Sequence, residues 1–239
     1  MSFNKHIHTI NFIFGLCLFF FACKQQPKEE WINLIPDNSL AGWEVKNGMA
    51  KYVVLNNEII GTTLMNTPNT FLCTKTIYDD FILEFEVMVD PKINSGVQFR
   101  SNSYPDFNNG QVHGYQAEID PSNRAWSGGI YEEGKRGWLY DLKNNPEGQK
   151  AFKNGTWNHY RIEAIGNKLV IWVNNINTAN LKDNDTKSGF IGLQVHSIGT
   201  DSLNSGKKIK WRNIRILTKN PSAFKTTPTA PLKDTTKKD

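Results

Sequence analysis

Cysteine is scarce in this sequence, and the scarcity limits how the fold can be stabilised. Only three cysteines occur, and two of them, Cys17 and Cys23, lie within the first 23 residues. Cys73 is therefore alone in the rest of the chain, which excludes an internal disulfide and a thiolate zinc site there. The apolar residues around Cys73 indicate a small buried side chain rather than a reactive thiol.

Concentrated positive charge is also missing, although the formal net charge is +5. The excess lies at the two ends. Without the three basic and two acidic residues before Trp31, and the five lysines and two aspartates after Thr218, 20 basic and 19 acidic residues remain. Nucleic-acid binding needs a clustered basic footprint. We therefore expect no nucleic-acid partner.

Long apolar runs are confined to the start of the chain. The run from Phe12 to Phe21 is too short to span a bilayer comfortably and is typical of a signal peptide. It ends in Phe-Phe-Ala-Cys, which resembles a bacterial lipobox. We predict a lipoprotein signal peptide over residues 1–22, a lipidated Cys23 that starts a tether over 23–30, and a lipid anchor in the bacterial cell envelope (periplasmic or outer-membrane surface). A plain cleaved signal peptide is the alternative.

Residues 31–218 carry no convincing amphipathic helix and read as a series of short strands. Apolar and polar residues alternate along them, with Gly, Asn, Asp and Pro between. The candidates are Trp43–Val45, Tyr52–Leu55, Glu58–Gly61, Asp80–Val89, Asn158–Ala164, Lys168–Val173 and Phe190–His196. Asn56-Asn57, Gly166-Asn167 and Asn174-Asn175 predict turns, and a phase change near Arg212-Asn213 predicts a bulge. This pattern predicts an all-β sandwich or jelly roll of two antiparallel sheets. The Lys/Thr/Pro-rich residues 219–239 predict a disordered tail.

Three strands place unusual polar side chains on the face opposite their apolar set, and this constellation predicts a site. The polar residues are Gln98 and Arg100; Gln116, Glu118 and Asp120; and Gln194 and His196. His113 precedes the second strand, and a glycine-rich segment after it adds Trp126, Tyr131, Glu133, Lys135, Arg136 and Trp138. Carboxylates, a histidine and arginines among aromatic side chains suit hydroxyl recognition together with proton transfer. A small carbohydrate is the predicted ligand. A purely structural ion pair of Glu118 or Asp120 with Arg100 or Arg136 fits the pattern about as well.

These residues also carry a likeness to a known family. The segments are Leu34–Trp43, Asn94–Arg100, Gly114–Asp120, Gly128–Tyr131, Trp157-Asn158, Gly192–His196 and Trp211–Ile214. In this order, from about Trp31 to Leu217, they resemble the domain of unknown function 1080 family. That resemblance implies a concanavalin/LamG-like jelly roll and activity as a 3-keto-glycoside lyase or 3-keto-glucal hydratase. Many members read Gly-Tyr-Glu-x-Gln where this chain reads Gly-Tyr-Gln-Ala-Glu, so the carboxylate stands two residues later on the same strand face.

The chemistry implied by the resemblance gives the candidate residues roles. A ketone at C3 of a glycoside acidifies the C2 proton, so that a base can remove it and the C1 substituent leaves by β-elimination. The base is Glu118 or His196, Asp120 is the partner acid or a metal ligand, and Arg100 and Arg136 contact the enolate or hydroxyls. His113, Glu118, Asp120 and His196 together could bind a divalent metal that polarises the ketone, although no tight ligand spacing supports one. Two other classes stay open, namely a non-catalytic glycan-binding module and a conventional two-carboxylate glycosidase.

Overall fold

A computed structural model describes residues 28–237, and in it two β-sheets pack face to face. The front sheet has seven strands, in spatial order β10 (Gly137–Tyr140), β9 (Ile130–Glu133), β8 (His113–Ile119), β7 (Ser95–Asn102), β14 (Phe190–Val195), β5 (Thr70–Thr74) and β2 (Trp43–Asn47). Its neighbouring strands are all antiparallel. The predicted all-β sandwich is confirmed.

The back sheet has nine strands. Eight follow the order β16 (Lys233–Asp234), β13 (Ile176–Lys182), β12 (Lys168–Val173), β11 (Asn158–Ile165), β6 (Phe81–Val89), β15 (Lys208–Leu217), β4 (Glu58–Thr62) and β3 (Lys51–Leu55), while β1 (Ile32–Asn33) pairs with β15. Helical structure among residues 28–237 amounts to α1 (Pro146–Gln149) and 3₁₀ turns at Pro36–Asn38, Ser202–Asn204 and Pro221–Phe224. None of these helices has the length and apolar character needed to cross a membrane.

The predicted turns and bulge are confirmed by the backbone. Asn56 and Asn57 have φ values of 52° and 60°, as the tight hairpin between β3 and β4 requires. Asn174 and Asn175 make the equivalent turn between β12 and β13 with φ values of 48° and 66°. The register of β15 against β6 shifts between Arg212 and Arg215, and this bulge reconciles the two apolar phases of the last long strand.

The core lies between the sheets and is built from the alternating apolar residues of both. Phe85 and Tyr160 of the back sheet stack with ring centroids 5.1 Å apart, and Phe99 and Tyr115 of the front sheet stack at 5.6 Å. All four are buried. Each such side chain contributes about 1.5–3 kcal/mol when it is removed from water. Their burial fixes the register of the strands, because a slip by one residue would turn the polar set inward.

The tail differs from the prediction, because residues 219–237 pack against the sandwich instead of being disordered. Strand β16 pairs in parallel with β13 at the edge of the back sheet. Asn177 accepts from the backbone nitrogens of Thr229 and Ala230, and the Tyr140 hydroxyl donates to the carbonyl oxygen of Pro231. The tail composition cannot form a core by itself. Its backbone is instead held by hydrogen-bonding groups that the folded sheet supplies.

The signal peptide (1–22), the lipidation site Cys23 and most of the tether (23–30) lie outside the described residues. Residues 28–30 of the tether have no regular secondary structure and are exposed. Cys73, by contrast, is buried on β5, as its sequence neighbours predict. Burial raises the pKa of its thiol far above the ordinary value. Cys73 packs with Phe71, Val112 and Phe190 on the outer face of the front sheet, beneath the loop of residues 103–112.

Candidate functional site

A pocket of about 280 Å³ opens on the outer face of the front sheet, the face that carries the polar residues. We call it the front pocket. Its walls come from β8, β9, β10 and β14 and from the segments next to β5, β7 and β8. The lining residues are Asn69, Asn94, Gln116, Glu118, Arg124, Tyr131, Glu133, Trp138, Gln194 and His196. The volume lies close to the roughly 300 Å³ lower bound of small-molecule pockets, so one sugar ring is a suitable occupant.

Glu118 is buried in the wall of the front pocket, where two amides fix its carboxyl group. Asn94 Nδ2 donates to Oε1 at 2.7 Å, and Gln116 Nε2 donates to Oε2 at 3.0 Å. Burial raises the pKa of Glu118 to about 7, against the lowering effect of those two hydrogen bonds. A carboxyl group with this pKa can both accept and release a proton near neutral pH.

A chain of hydrogen bonds behind Glu118 holds it in place. Ser101 Oγ donates to Gln98 Oε1 at 2.7 Å, Gln98 Nε2 donates to Gln116 Oε1 at 2.6 Å, and Gln116 in turn donates to Glu118. Gly96 faces Glu118 in the sheet, and a Cβ there would lie 2.3 Å from the Gln116 side chain. Gln98 thus supports the pocket from behind, whereas Gln116 also lines it.

Gln194 contributes an amide that is buried and unpaired. The residue has no exposed surface, and within residues 28–237 neither its Oε1 nor its Nε2 has a hydrogen-bond partner. An unpaired buried amide costs about 1–3 kcal/mol, so such groups in native proteins call for an explanation. Gln194 borders the front pocket, so a ligand hydroxyl can supply both missing bonds once the side chain turns towards the pocket.

Arg124 provides the cation of the front pocket, and two tryptophans hold it there. Its Nε donates to Asp120 Oδ2 at 2.7 Å, and its guanidinium carbon lies 4.7 Å from the ring centroid of Trp126 and 5.1 Å from that of Trp138. Trp138 also meets Tyr131 edge to face at 5.3 Å. Tyr131 and Trp138 form an apolar wall beside a positive charge, an arrangement that suits the apolar face and the oxygen atoms of a sugar. Trp126, predicted to bind substrate, does not line the pocket and contacts Arg124 instead.

His196, Asn69 and Glu133 close the pocket from another side. His196 Nδ1 lies 2.7 Å from the carbonyl oxygen of Ser197, which can only accept, so Nδ1 carries the proton and Nε2 is free to accept. Asn69 Oδ1 accepts from the Ser197 nitrogen at 2.9 Å, and Asn69 Nδ2 donates to Glu133 Oε1 at 3.1 Å. Strands β8, β7 and β14 separate β9 from β5 in the sheet. The Asn69–Glu133 bond therefore crosses this face, which must be concave.

Arg100 lies outside the front pocket, so its predicted catalytic role is wrong. Its backbone adopts φ 47° within the register irregularity between Phe99 and Asn102, which breaks the expected alternation. The buried guanidinium bonds to the carbonyl oxygens of Asp79, Ala164 and Gly166 and pairs with Asp80 at 2.7 Å. Arg100 joins the two sheets at one end of their inner strands.

Arg136 is also placed differently from the prediction. It forms ion pairs with Glu132 and with Asp183, the latter at 2.9 Å, and it does not line the front pocket. These two carboxylates raise the pKa of Arg136 further above its ordinary value. The side chain points away because Glu132 and Asp183 are buried acids that need a cation.

Two further predicted residues lie beside the pocket rather than in its lining. His113 packs against the rings of Phe107 and Tyr104, with centroids at 3.9 and 5.4 Å. Asp120 is buried behind Arg124, and although burial alone would raise its pKa, hydrogen bonds from Ser122 and Arg124 hold it below the ordinary value. Asp120 is therefore an ionised partner of Arg124, which corrects its predicted role as an acid. An ion pair was one of the two interpretations of Asp120, but its partner is Arg124.

The metal hypothesis finds no support in the geometry. Within residues 28–237, no group of three or more His, Cys, Asp or Glu side chains is arranged to hold a metal ion. Of the four proposed ligands, Glu118 and His196 line the front pocket, whereas His113 and Asp120 are engaged elsewhere. Amides fill the positions next to Glu118.

A larger cavity of about 510 Å³ lies on the outer face of the back sheet, but its chemistry is that of a structural cluster. Glu84, in its wall, accepts from Arg161 Nη1 and from Arg215 Nη2, each at 2.6 Å. Burial alone would raise the pKa of Glu84, yet the nearby His159 imidazole and hydrogen bonds from Arg215 and Arg161 hold it at about 2. A carboxylate so firmly ionised is a poor acid or base at neutral pH.

Sequence reasoning missed three residues that line the front pocket: Asn69, Asn94 and Arg124. Glu133, which follows Tyr131 by two residues and therefore shares its strand face, belonged to the predicted constellation without a role of its own. Asn94 and Arg124 stand just outside the strands, where alternation gives no information. Asn69 reaches the site only because the sheet is curved, and the sequence carries no local signal of that curvature.

The fold and the front pocket define a class of protein: a concanavalin-like jelly-roll β-sandwich with a small polar pocket on one concave sheet. Solved structures share this fold. The carbohydrate-binding module CBM66 from Bacillus subtilis aligns with a TM-score of 0.55 and 16% identity, over 74% of this chain and 95% of that one. A galectin-like protein from the same species aligns at 0.58 and 9% identity, over 80% and 97%. A proposed glycosyl hydrolase from Parabacteroides distasonis aligns at 0.53 and 20% identity, over 79% and 99%. No curated protein matches the sequence significantly.

The chain belongs to the 3-keto-alpha-glucoside-1,2-lyase-like domain family, whose model matches residues 30–217. The match covers the front sheet, the back sheet apart from β16, and every residue of the front pocket. The family resemblance drawn from the sequence motifs is confirmed.

Proposed function

We propose that the front pocket binds a 3-keto-glycoside and cleaves it by β-elimination, with hydration of the product as the companion reaction. Membership of the lyase-like family supports this choice of substrate. A pocket sized for one sugar ring, an unpaired amide at Gln194 and an aromatic wall at Trp138 support a carbohydrate ligand.

The environment of Glu118 is the observation that carries the proposal. A base that removes a proton next to a ketone must be unprotonated in the resting enzyme and yet basic enough to act. Burial brings the pKa of Glu118 to about 7, while Asn94 and Gln116 orient the carboxyl group. These are the properties of a general base tuned for neutral pH.

The reaction begins when Glu118 takes the C2 proton, and the electrons of the C2–H bond pass into an enolate whose charge lies on the C3 oxygen. Arg124, which is held by Asp120 and the tryptophans, stabilises that charge. The enolate then collapses, the C1–O bond breaks, and the leaving oxygen takes the bonding electrons. Addition of water to the resulting C1=C2 bond gives net hydrolysis. His196 Nε2 and the Gln194 amide contact sugar hydroxyls.

Turnover of a 3-keto-glucoside tests the proposal, with the parent glucoside as the matched substrate. We expect consumption of the keto sugar alone, and a loss of at least about 100-fold in kcat/KM for Glu118→Gln, with a smaller loss for His196→Ala. If both variants keep the wild-type rate, the assignment fails. Cleavage of the parent glucoside would support the two-carboxylate glycosidase instead.

A non-catalytic glycan-binding module is the second candidate, because the unpaired Gln194 amide serves binding as well as catalysis. It predicts retention of a glycan without consumption, with Glu118→Gln and wild type binding alike. A panel of native and 3-keto glycosides, assayed with and without a chelator, separates the three candidates. Any requirement for a divalent metal would appear in the same experiment.

Attachment to the bacterial cell envelope through a lipid on Cys23 remains a proposal that rests on the leader sequence. Cys23→Ser should abolish incorporation of labelled palmitate and release the protein from the membrane fraction. Unchanged fractionation of this variant would contradict the anchor.

A further inference from the structure

Glu133 is a second carboxyl group in the wall of the front pocket. Glu133 lies on β9, two residues beyond Tyr131, whereas Glu118 lies on the neighbouring strand β8. Gly114 of β8 pairs with Glu133, so the two glutamates are offset along the strands and reach the pocket from different ends. Tyr131 lies within electrostatic range of both glutamates, since its pKa is raised first by burial and then by the charges of Glu133 and Glu118.

The surroundings of Glu133 suit a group that gives up a proton. Burial raises the pKa of Glu133, while the hydrogen bond from Asn69 lowers it. Oε1 accepts the Asn69 bond, and Oε2 accepts no hydrogen bond from any side chain or backbone group that the structure describes. No cation pairs with Glu133 among residues 28–237, in contrast to Asp120, which Arg124 keeps ionised. Oε2 therefore remains available to a ligand.

We propose that Glu133 is the catalytic acid of the site and protonates the leaving glycosidic oxygen while Glu118 removes the C2 proton. The inference rests on the proposed function. In the elimination, the Glu133 proton passes to the leaving oxygen as the C1–O bond breaks, so Glu133 ends as a carboxylate and Glu118 ends protonated. In the hydration, Glu133 takes a proton from a water molecule while the oxygen of that water bonds to C1, and Glu118 returns its proton to C2. The two carboxyl groups then regain their starting states.

Asn69 acts as a positioning residue in this scheme. One side chain bonds both Glu133 and the Ser197 nitrogen, next to His196. It thereby fixes Glu133 relative to the opposite wall of the concave sheet. Because its N–H donates to the carboxylate, loss of this donor should raise the pKa of Glu133.

Substrates that differ only in their leaving group test the role of Glu133. A 4-nitrophenolate leaves without protonation, whereas a methoxide needs an acid. For Glu133→Gln we expect kcat/KM to fall at least about 100-fold on methyl 3-keto-glucoside but less than about 5-fold on the 4-nitrophenyl analogue. For Glu118→Gln, kcat/KM should fall on both substrates, because both need the base. Retained activity on the aryl substrate also shows that the Glu133→Gln variant is folded.

Equal losses on the two substrates for Glu133→Gln would overturn the assignment while leaving the lyase function intact. If the wild type consumes neither substrate, the proposed function itself fails. Glu147→Gln is the matched control, since Glu147 is exposed on α1, and it should match the wild type on both substrates. For Asn69→Ala, kcat/KM should fall more on methyl 3-keto-glucoside than on the 4-nitrophenyl analogue, because only the methoxide needs a well-placed acid. Equal losses on the two substrates would contradict the positioning role.

Discussion

Both sheets bury a glutamate near a polar cavity, yet the two glutamates have opposite chemistry. On the back sheet, Glu84 meets Arg161 and Arg215 and stays ionised, with a pKa of about 2. On the front sheet, Glu118 meets two amides and no cation at bonding distance within residues 28–237, and its pKa rises to about 7. The difference shows that the partner, rather than burial itself, decides whether a buried carboxylate stabilises the fold or remains ready to exchange a proton.

The largest expected effect comes from breaking the paired cluster of the back sheet. Glu84→Gln leaves Arg161, whose side chain is 17% exposed, with Glu163 as its one remaining carboxylate partner among the described residues. Loss of one member of a buried pair costs about 3–5 kcal/mol, and we expect the lower end because Arg161 keeps Glu163 and Arg215 is half exposed. The melting temperature should fall by about 6–12 °C, while turnover is unchanged. A calorimetric scan measures the shift, with Glu147→Gln as the control. An unshifted melting temperature would show that the cluster is not structural.

Next comes the pH dependence that Glu118 imposes on stability. Its pKa is raised in the folded protein, so as pH rises from about 4.5 to 7 the unfolded chain releases the proton first and stability falls. The loss is on the order of 3 kcal/mol and levels off above pH 7. Urea unfolding should find Glu118→Gln equal to the wild type at pH 4 and more stable at pH 8. If the free energies of unfolding of the two proteins changed with pH in parallel, the assigned pKa would be contradicted. Glu84 has the opposite effect, because its pKa is lowered in the folded protein. Its contribution to the free energy of unfolding is lost as pH falls from about 4.5 towards 2.

The smallest of the three effects compares two arginines that both stack on tryptophan. Arg124→Ala should lower kcat/KM on the 3-keto-glucoside by about 30- to 100-fold, because the enolate loses its cation. Arg215 stacks on Trp31 in the back sheet at 4.4 Å, and Arg215→Ala should leave kcat and KM unchanged. Steady-state kinetics of the two variants on the 3-keto-glucoside measure this difference. Equal losses would mean that Arg124 acts through folding and not on the substrate.

The alternation of the sequence predicts the sandwich well, because a period of two is a direct record of which face is buried. Lys168–Val173 was predicted with the bounds that the structure gives, and the bulge beside Asn213 follows from the phase change alone. The same rule fails at Arg100, because a residue with positive φ interrupts the alternation.

The period-two alternation could not predict site residues that lie outside the strands. Arg124 belongs to the site through its contacts with Asp120 and Trp138, and local sequence does not specify such contacts. Asn69 depends on curvature that develops across five neighbouring strands. The tail was misjudged for a related reason, since composition predicts whether a segment can fold alone but not whether another surface will bind its backbone.

Gly96 sets a limit on how this site can diversify. Its missing side chain is the space in which the Gln116 amide lies, so even a methyl group there would displace the group that orients Glu118. We therefore expect Gly96 to be invariant among relatives that keep the Gln116–Glu118 pair. New substrate preferences would then arise by replacements of Tyr131 on β9 and Trp138 on β10, which border the pocket without orienting either glutamate. For the same reason, directed evolution of specificity should start from those positions and leave β7 untouched.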